Sequence, residues 1–278
     1  MRALIVYNDY YFSPAARYCA DRLSSACRKK DIEVSAVSGA RLILDDSLLK
    51  GVDFVLMRSK DPSLAKFCEN TGIRVFNSSD ALRICDDKSE MSVMLGGAGV
   101  RRPMTIISPE TYGNPPGKDF LISAANILKY PFIIKKAKSS LGKGVYMVSN
   151  REELARFYQC KDKMIFEEYI RADEDIRVFV IGDRISGCMK RMPPAGEFRT
   201  NIEQGAKGSK VAISDEVRAL AISAVRVTGA DYAGVDIIDT LAPRVLEVNA
   251  NANFMSLDQV NGADTAKDII DYIIKVMK

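Results

Sequence analysis

Short apolar blocks alternate with longer amphipathic ones along this chain, and the alternation has a clear order. Residues 3–7 are a compact apolar run, the pattern of a strand buried on both faces. Ser13 followed by Pro14 pairs a cap residue with proline at the first helical position, and the helix so opened is expected to reach about residue 30. Residues 32–36 and 53–57 read as strands, 63–71 as a helix stopped by Gly72, and 74–76 as a short strand. Strand and helix in alternation predict a small parallel sheet within residues 1–85.

The pattern then changes. A helical stretch at 87–94 runs into Gly96, Gly97 and Gly99, and 102–107 reads as a strand. Residues 112–117, rich in Gly and Pro, mark a turn-rich hinge. Strands at 131–136 and 145–148 flank a glycine-bearing loop at 139–144. Asn150 and Glu153 have capping-box spacing and open a helix to about 159; 164–170 is a third strand. Strands at 176–181 and 184–192 precede a long polar loop at 193–210 and a helix at 215–227 behind Ser214. Two adjoining apolar strands around a turn at 240–243 follow, and an amphipathic helix over 263–277 closes the chain.

At 278 residues the chain suits two domains, or one large domain with a subdomain. Its 47 % hydrophobic and 27 % charged residues are an ordinary soluble balance. No apolar run approaches the roughly 18 residues of a membrane span. The first apolar stretch is too short for a signal peptide. The net charge of +4 is spread along the chain, which speaks against nucleic acid and suits an anionic ligand. Six cysteines without a C-x-x-C pair fit free thiols in a reducing cytoplasm. There is no histidine, so histidine-based triads are excluded and a zinc site is disfavoured. Chemistry must run on carboxylates, Lys, Arg, metal and backbone donors.

Asp236 lies on the first of the two apolar strands before the turn; Glu247 and Asn249 lie two apart on the second, on one face. If the strands form a hairpin, three oxygen ligands converge, a site for a hard cation such as Mg²⁺ or Mn²⁺ bound with a phosphate. Alone, the three residues equally fit a wet strand edge. The loop with Ser140, Gly142 and Gly144 can cover phosphates with backbone N–H groups or be an ordinary hairpin turn. Lys135, ending an apolar strand, can reach a phosphate or merely begin a basic loop. Glu167, Glu168, Tyr169 and Ile170 sit at a strand end where backbone can meet an adenine edge and a carboxylate a ribose, although a charge run at a strand end is more often just solvated. Arg191, Arg199 and Asn201 lie on or beside the long loop, where Arg forks suit phosphate or carboxylate, or simply water. The order of these parts is more informative than any one of them: together they are a full set for ATP with a divalent metal.

Read in that order, the chain resembles the ATP-grasp superfamily, and within it the RimK-like carboxylate–amine ligases typified by α-L-glutamate ligases. The resemblance covers about residues 74–278. It rests on Glu168-Tyr169-Ile170 with Asp175-Ile176-Arg177, on Glu197-Phe198-Arg199-Thr200-Asn201, and on Ala233-Gly234-Val235-Asp236 with Glu247-Val248-Asn249. It implies an α/β fold: an N-terminal Rossmann-like domain (1–85), then a two-subdomain grasp (86–170 with the lid, 171–278 with the metal site). Lys88 and Lys135 would hold ATP phosphates under a lid loop at 139–144. Glu168 with the Tyr169–Ile170 backbone would receive adenine, and Asp175 the ribose. Asp236, Glu247 and Asn249 would ligate one or two Mg²⁺, with two the expectation. Arg191 and Arg199 would neutralise the γ-phosphate and an acyl phosphate, with Arg177 and Asn201 nearby.

The implied reaction is ATP-dependent amide formation, with glutamate or another amino acid joined to an amine acceptor through an acyl phosphate. The substrates would be small-molecule or peptide carboxylates and amines, and a homo-oligomer is left open. A regulatory grasp-fold protein and a phosphotransferase are the competing readings. The chain departs from the family in Ala250-Asn251-Ala252-Asn253-Phe254 after the metal strand, in Gln204-Gly205-Ala206-Lys207, and in Lys143 within the lid loop. These departures fall towards the acceptor side.

Overall fold

The computed structural model describes residues 1–11, 13–139, 142–194, 197 and 205–278. The opening apolar run is β1 (Arg2–Tyr7), and Ser13 Oγ accepts from Ala16 N at 3.2 Å to start α1 (Pro14–Arg28). Next come β2 (Glu33–Ser38), α2 (Gly39–Leu44), a 3₁₀ turn at Asp46–Leu49, β3 (Phe54–Met57), α3 (Pro62–Glu69) and β4 (Arg74–Phe76). The four strands form one parallel sheet in the order β2-β1-β3-β4. All four residues of β3 are buried, which is why that strand reads as a continuous apolar run. The helix expected from residue 63 starts one residue earlier, because Asp61 is its cap and Pro62 its first residue. Two further helices follow, α4 (Ser79–Asp86) and α5 (Lys88–Gly97). The sequence pattern did not flag the short helices α2 and α4, although Ser38 and Ser78 cap them.

A second unit holds β5 (Thr105–Ile107), α6 (Lys118–Leu128), β6 (Phe132–Lys136), β7 (Val145–Val148), α7 (Arg151–Ala155) and β8 (Met164–Glu168). Its antiparallel sheet has the order β5-β8-β6-β7. Leu121, Phe132, Ile134, Leu154 and Phe166 give it a hydrophobic core of its own. The residues expected as a hinge lead directly into α6. The helix at 150 is shorter than expected. Glu153 N donates to Asn150 Oδ1 at 2.9 Å, and the Glu153 carboxylate accepts from Ser149 N, so the box closes one residue earlier.

The last unit is a five-stranded antiparallel sheet in the order β11-β10-β9-β12-β13. Its elements are β9 (Asp175–Ile181), β10 (Arg184–Met192), β11 (Lys207–Lys210), α8 (Asp215–Thr228), β12 (Tyr232–Ile238) and β13 (Arg244–Asn249), then α9 (Met255–Asn261) and α10 (Thr265–Val276). The expected 193–210 loop is corrected at its end: residues 207–210 pair with β10 as an edge strand. Lys-Gly-Ser-Lys shows no apolar alternation, so backbone pairing alone reveals it. The closing helix is also corrected. It starts at Thr265 behind an Asp264 cap, and α9, ended by Gly262 at φ +66°, precedes it.

The parallel and five-stranded sheets share their packing. One cluster unites Val6 and Met57 with Val178, Val235 and Val248; another unites Leu56 and Phe76 with Phe179, Tyr232 and Phe254. Asn77, fully buried after β4, joins them by hydrogen bonds. Its Nδ2 donates to Tyr232 O (2.8 Å) and Ala250 O (2.6 Å), and its Oδ1 accepts from Asp231 N (2.6 Å) and Tyr232 N (3.2 Å). Among the described residues no helix is long and apolar enough to cross a membrane, and all six cysteines are free thiols.

Candidate active site

The expected hairpin forms. β12 and β13 pair antiparallel, with Asp236 opposite Glu247 and Gly234 opposite Asn249. The register skips Leu246, a bulge that re-aims the side chains beside it. On its other side β12 pairs with β9, which sets Asp236 beside Arg177. A Cβ at Gly234 would lie 2.9 Å from both Arg177 Cδ and Ala252 Cβ, so the absent side chain makes room for the arginine.

Three clusters of paired charges line the site. Arg177 donates to both oxygens of Asp236, from Nη2 at 2.8 Å and also from Nε. Arg191 reaches from β10, donating to both oxygens of Asp175 at 2.8 and 2.6 Å, with Nη2 3.0 Å from Asp236. On β6, Lys135 Nζ lies 2.6 Å from Glu167 of β8, and Lys88, at the start of α5, donates to Ser139 O at 2.7 Å and lies 3.5 Å from Glu247. Burial works against the charge of Asp236, but Arg177 and Arg191 outweigh it and hold the carboxyl below its usual range. Burial likewise opposes the charges of Lys135 and Arg191, and the facing carboxylates keep both protonated.

All these groups open on one cleft of about 1070 Å³. Lys88, Lys135, Gly142, Glu167, Glu168, Tyr169 and Ile170 line it, as do Asp175, Arg177, Arg191, Asp236, Glu247 and Asn249. Gly144 does not reach the wall: at φ +74° its carbonyl accepts from Lys136 N, closing the β6–β7 hairpin, and Lys143 faces the cleft instead. Ser140, Arg199 and Asn201 lie outside the described residues. Asp175, which the resemblance assigned to the ribose, is 3 % exposed and grips Arg191 with both carboxylate oxygens. Glu168 spans the strand end, accepting from Met104 N at 3.0 Å.

The sequence reading missed several further residues of the cleft. Asn8 and Arg58, at the carboxyl ends of β1 and β3, line the cleft with Ser13–Ala16 of the α1 entry and with Asn251 and Asn253. Ligands of open parallel sheets gather at the carboxyl ends of strands. The signal that singled out Lys135, a cation ending an apolar strand, was present at Arg58 too.

The donor set fits a divalent ion held with phosphate. Among the described residues no three His, Cys, Asp or Glu groups converge as a protein cage. Asp236, Glu247 and Asn249 all line the cleft, and their side-chain oxygens could supply part of a shell that a hard ion would complete with phosphate and water.

A model of the RimK-like ATP-grasp domain matches residues 85–273. The chain belongs to the RimK-like ATP-grasp family. A probable alpha-L-glutamate ligase of Haemophilus influenzae is 33 % identical over 239 residues, covering 81 % of this chain and 77 % of that protein. Among solved structures, a RimK domain ATP-grasp protein of Sphaerobacter thermophilus aligns with TM-score 0.76 at 19 % identity, over 98 % of this chain and 99 % of that one. The D-alanine–D-alanine ligase of Bacillus anthracis complexed with ATP aligns with TM-score 0.76 at 18 % identity, over 100 % and 97 %. Those two likenesses concern the fold. Membership in the RimK-like family sets the enzyme class, an ATP-dependent ligase that forms a carbon–nitrogen bond.

Proposed function

We propose that this RimK-like ATP-grasp protein joins a carboxylate to an amine through an acyl phosphate, adding glutamate or another amino acid. One observation carries the reading: Lys88, Lys135, Arg177 and Arg191 converge in a single cleft on Asp236, Glu247 and Asn249. Phosphoryl transfer needs little covalent help from protein and much positioned charge, which is what this cleft offers.

Lys88 and Lys135 hold the phosphate chain, with the β6–β7 loop as cover. Both lysines are anchored, to Ser139 O and to Glu167, so they present charge without first ordering a flexible stem. The Glu168–Ile170 strand end receives the adenine. Arg191 and Arg177 meet the oxyanions of the transferred phosphoryl group and of the acyl phosphate, and phosphate oxygens compete for forks that Asp236 occupies here. Asp175 is the positioning partner of Arg191. Asp236, Glu247 and Asn249 would hold the divalent metal, Mg²⁺ or Mn²⁺, as one ion or two, and the chemistry it would supply is neutralisation of phosphate charge. The sheet of β5–β8, with its own core, is the part free to close over the cleft and keep water from the acyl phosphate.

The test is ADP release over a panel of amino acids and amines with Mg²⁺ or Mn²⁺, with products read by mass spectrometry. The expected product is an amide. A stable phosphorylated product would replace this reading with a phosphotransferase, and nucleotide binding without turnover across the panel would leave a regulatory role.

A further inference from the structure

Two lysines on the cleft are already matched by acid. Lys135 Nζ lies 2.6 Å from Glu167, and Lys88 Nζ lies 3.5 Å from Glu247. Lys143 lines the same cleft and differs from both. It is exposed, and among the described residues no carboxylate lies at ion-pair distance from it.

The backbone sets where that lysine stands. Gly142 and Gly144, on either side of it, have φ of +69° and +74°, a left-handed conformation that glycine adopts without strain. The segment beyond Lys143 is tied down. Gly144 O accepts from Lys136 N at 2.9 Å, and a Cβ on Gly144 would lie 2.9 Å from Lys136 Cγ. The start of the loop is tied as well: Ser139 Oγ donates to Lys136 O at 3.2 Å, and Ser139 O accepts from Lys88 Nζ at 2.7 Å. Because Lys88 also lies beside Glu247, the loop is rooted where Glu247 stands opposite Asp236 on the paired strands. The ligase reading gives that end of the cleft to phosphate and metal, and the Glu168–Ile170 end to adenine.

Charge balance asks for a further cation there. Glu247 and Glu167 already offset part of what Lys88 and Lys135 offer to a polyphosphate. Lysine is a compact point charge on a flexible stem, which suits a phosphate oxygen approached from a loop. We propose that Lys143 is a third phosphate-binding lysine of this protein, pairing through Nζ with the β- or γ-phosphate of the nucleotide. This rests on the ligase reading given above and adds a side-chain contact where that reading uses the loop only as cover.

The experiment uses the whole protein with Mg²⁺ and the non-hydrolysable analogue AMPPNP, or ADP. By calorimetric titration Lys143→Gln should bind AMPPNP about tenfold more weakly than wild type, and Lys143→Arg, which keeps the charge, should stay within about threefold of wild type. A loss for AMPPNP alone puts the contact at the γ-phosphate, and an equal loss for ADP puts it at the β-phosphate. Added KCl should weaken AMPPNP binding by wild type more steeply than by Lys143→Gln, and melting temperatures should match, since the side chain is exposed. Lysine acetylation read by mass spectrometry should label Lys143 in the free protein and less in the AMPPNP complex, with exposed Lys275 labelled in both. Native AMPPNP affinity in Lys143→Gln overturns the proposal whatever the labelling shows. So does a Lys143→Arg variant as weak as Lys143→Gln, or labelling of Lys143 that AMPPNP leaves unchanged. The ligase reading fails separately: if turnover yields no amide while the AMPPNP contrast persists, the phosphate contact stands and the reaction is reassigned.

Discussion

Arg191 donates from Nε and Nη2 to the two oxygens of Asp175, 2.8 and 2.6 Å away, across the register of β9 and β10. Both side chains are almost fully buried, so the pair defines where the guanidinium points. Asp175→Asn keeps the shape and removes the charge. A positioning role predicts a fall in kcat of about 10–100-fold with little change in KM for ATP. Steady-state kinetics decides it: a raised KM for ATP with kcat intact would favour the ribose role instead.

Asp236 is held by Arg177 and Arg191 and faces Glu247. Replacing it with Ala removes a proposed metal ligand and leaves two guanidinium groups without their shared anion. Turnover, followed as ADP release, should drop by about 100-fold or more. Urea unfolding should show a loss of roughly 3 kcal/mol or more, the range for breaking a buried pair from one side. Intact turnover would refute the metal assignment.

Acid should unfold the protein partly through the same residue. The folded state holds the Asp236 carboxyl below its ordinary range, because the two arginines outweigh burial. A depressed carboxyl contributes stability above its unfolded pKa, about 4, and loses it as pH falls through the lower folded value. The urea midpoint of wild type should therefore decline below about pH 4 more steeply than that of Asp236→Asn. Parallel curves for the two proteins would remove Asp236 from the explanation.

Asn77 makes four hydrogen bonds to the backbone of residues 231, 232 and 250 from a fully buried position. Asn77→Ala leaves those groups unpaired where water does not reach. About 3 kcal/mol or more of stability should go, by denaturant unfolding. Nucleotide affinity should weaken as well, since Ala250 follows the strand that carries Glu247 and Asn249.

Gly234→Ala tests packing against chemistry. The added methyl would meet Arg177 Cδ and Ala252 Cβ at 2.9 Å. Overpacking of this kind costs about 1–3 kcal/mol, and here it also pushes Arg177 away from Asp236. Melting temperature and kcat should both fall. A variant with native kcat would show that Arg177 has room to spare.

The strongest local signals held. Ser13-Pro14 and Ser214 start helices, and the strand at 184–192 has its expected ends, because capping chemistry and strand period are written in consecutive residues. The pairing of Glu247 with Asn249 on one strand face likewise needs only a period of two. The polar edge strand β11 was invisible because nothing in its side chains alternates; its neighbour β10 makes it a strand.

By itself the sequence determined the alternation of strand and helix, the two adjoining strands that carry Asp236, Glu247 and Asn249, and the ordered set of cations and oxygens that marks an ATP-grasp ligase. Only the tertiary structure decided who pairs with whom. Arg58 meets Ala252 across 194 residues of chain, and Asn77 meets Ala250 across 173. Arg177 reaches Asp236, and Arg191 joins Asp236 to Asp175, only because three strands, β10, β9 and β12, pair side by side in one register. Periodicity reports which face of an element is buried, whereas the partner across the interface is set by how the sheets pack, and that packing brought Arg58 and the α1 entry to the same cleft as Lys88 and Lys135.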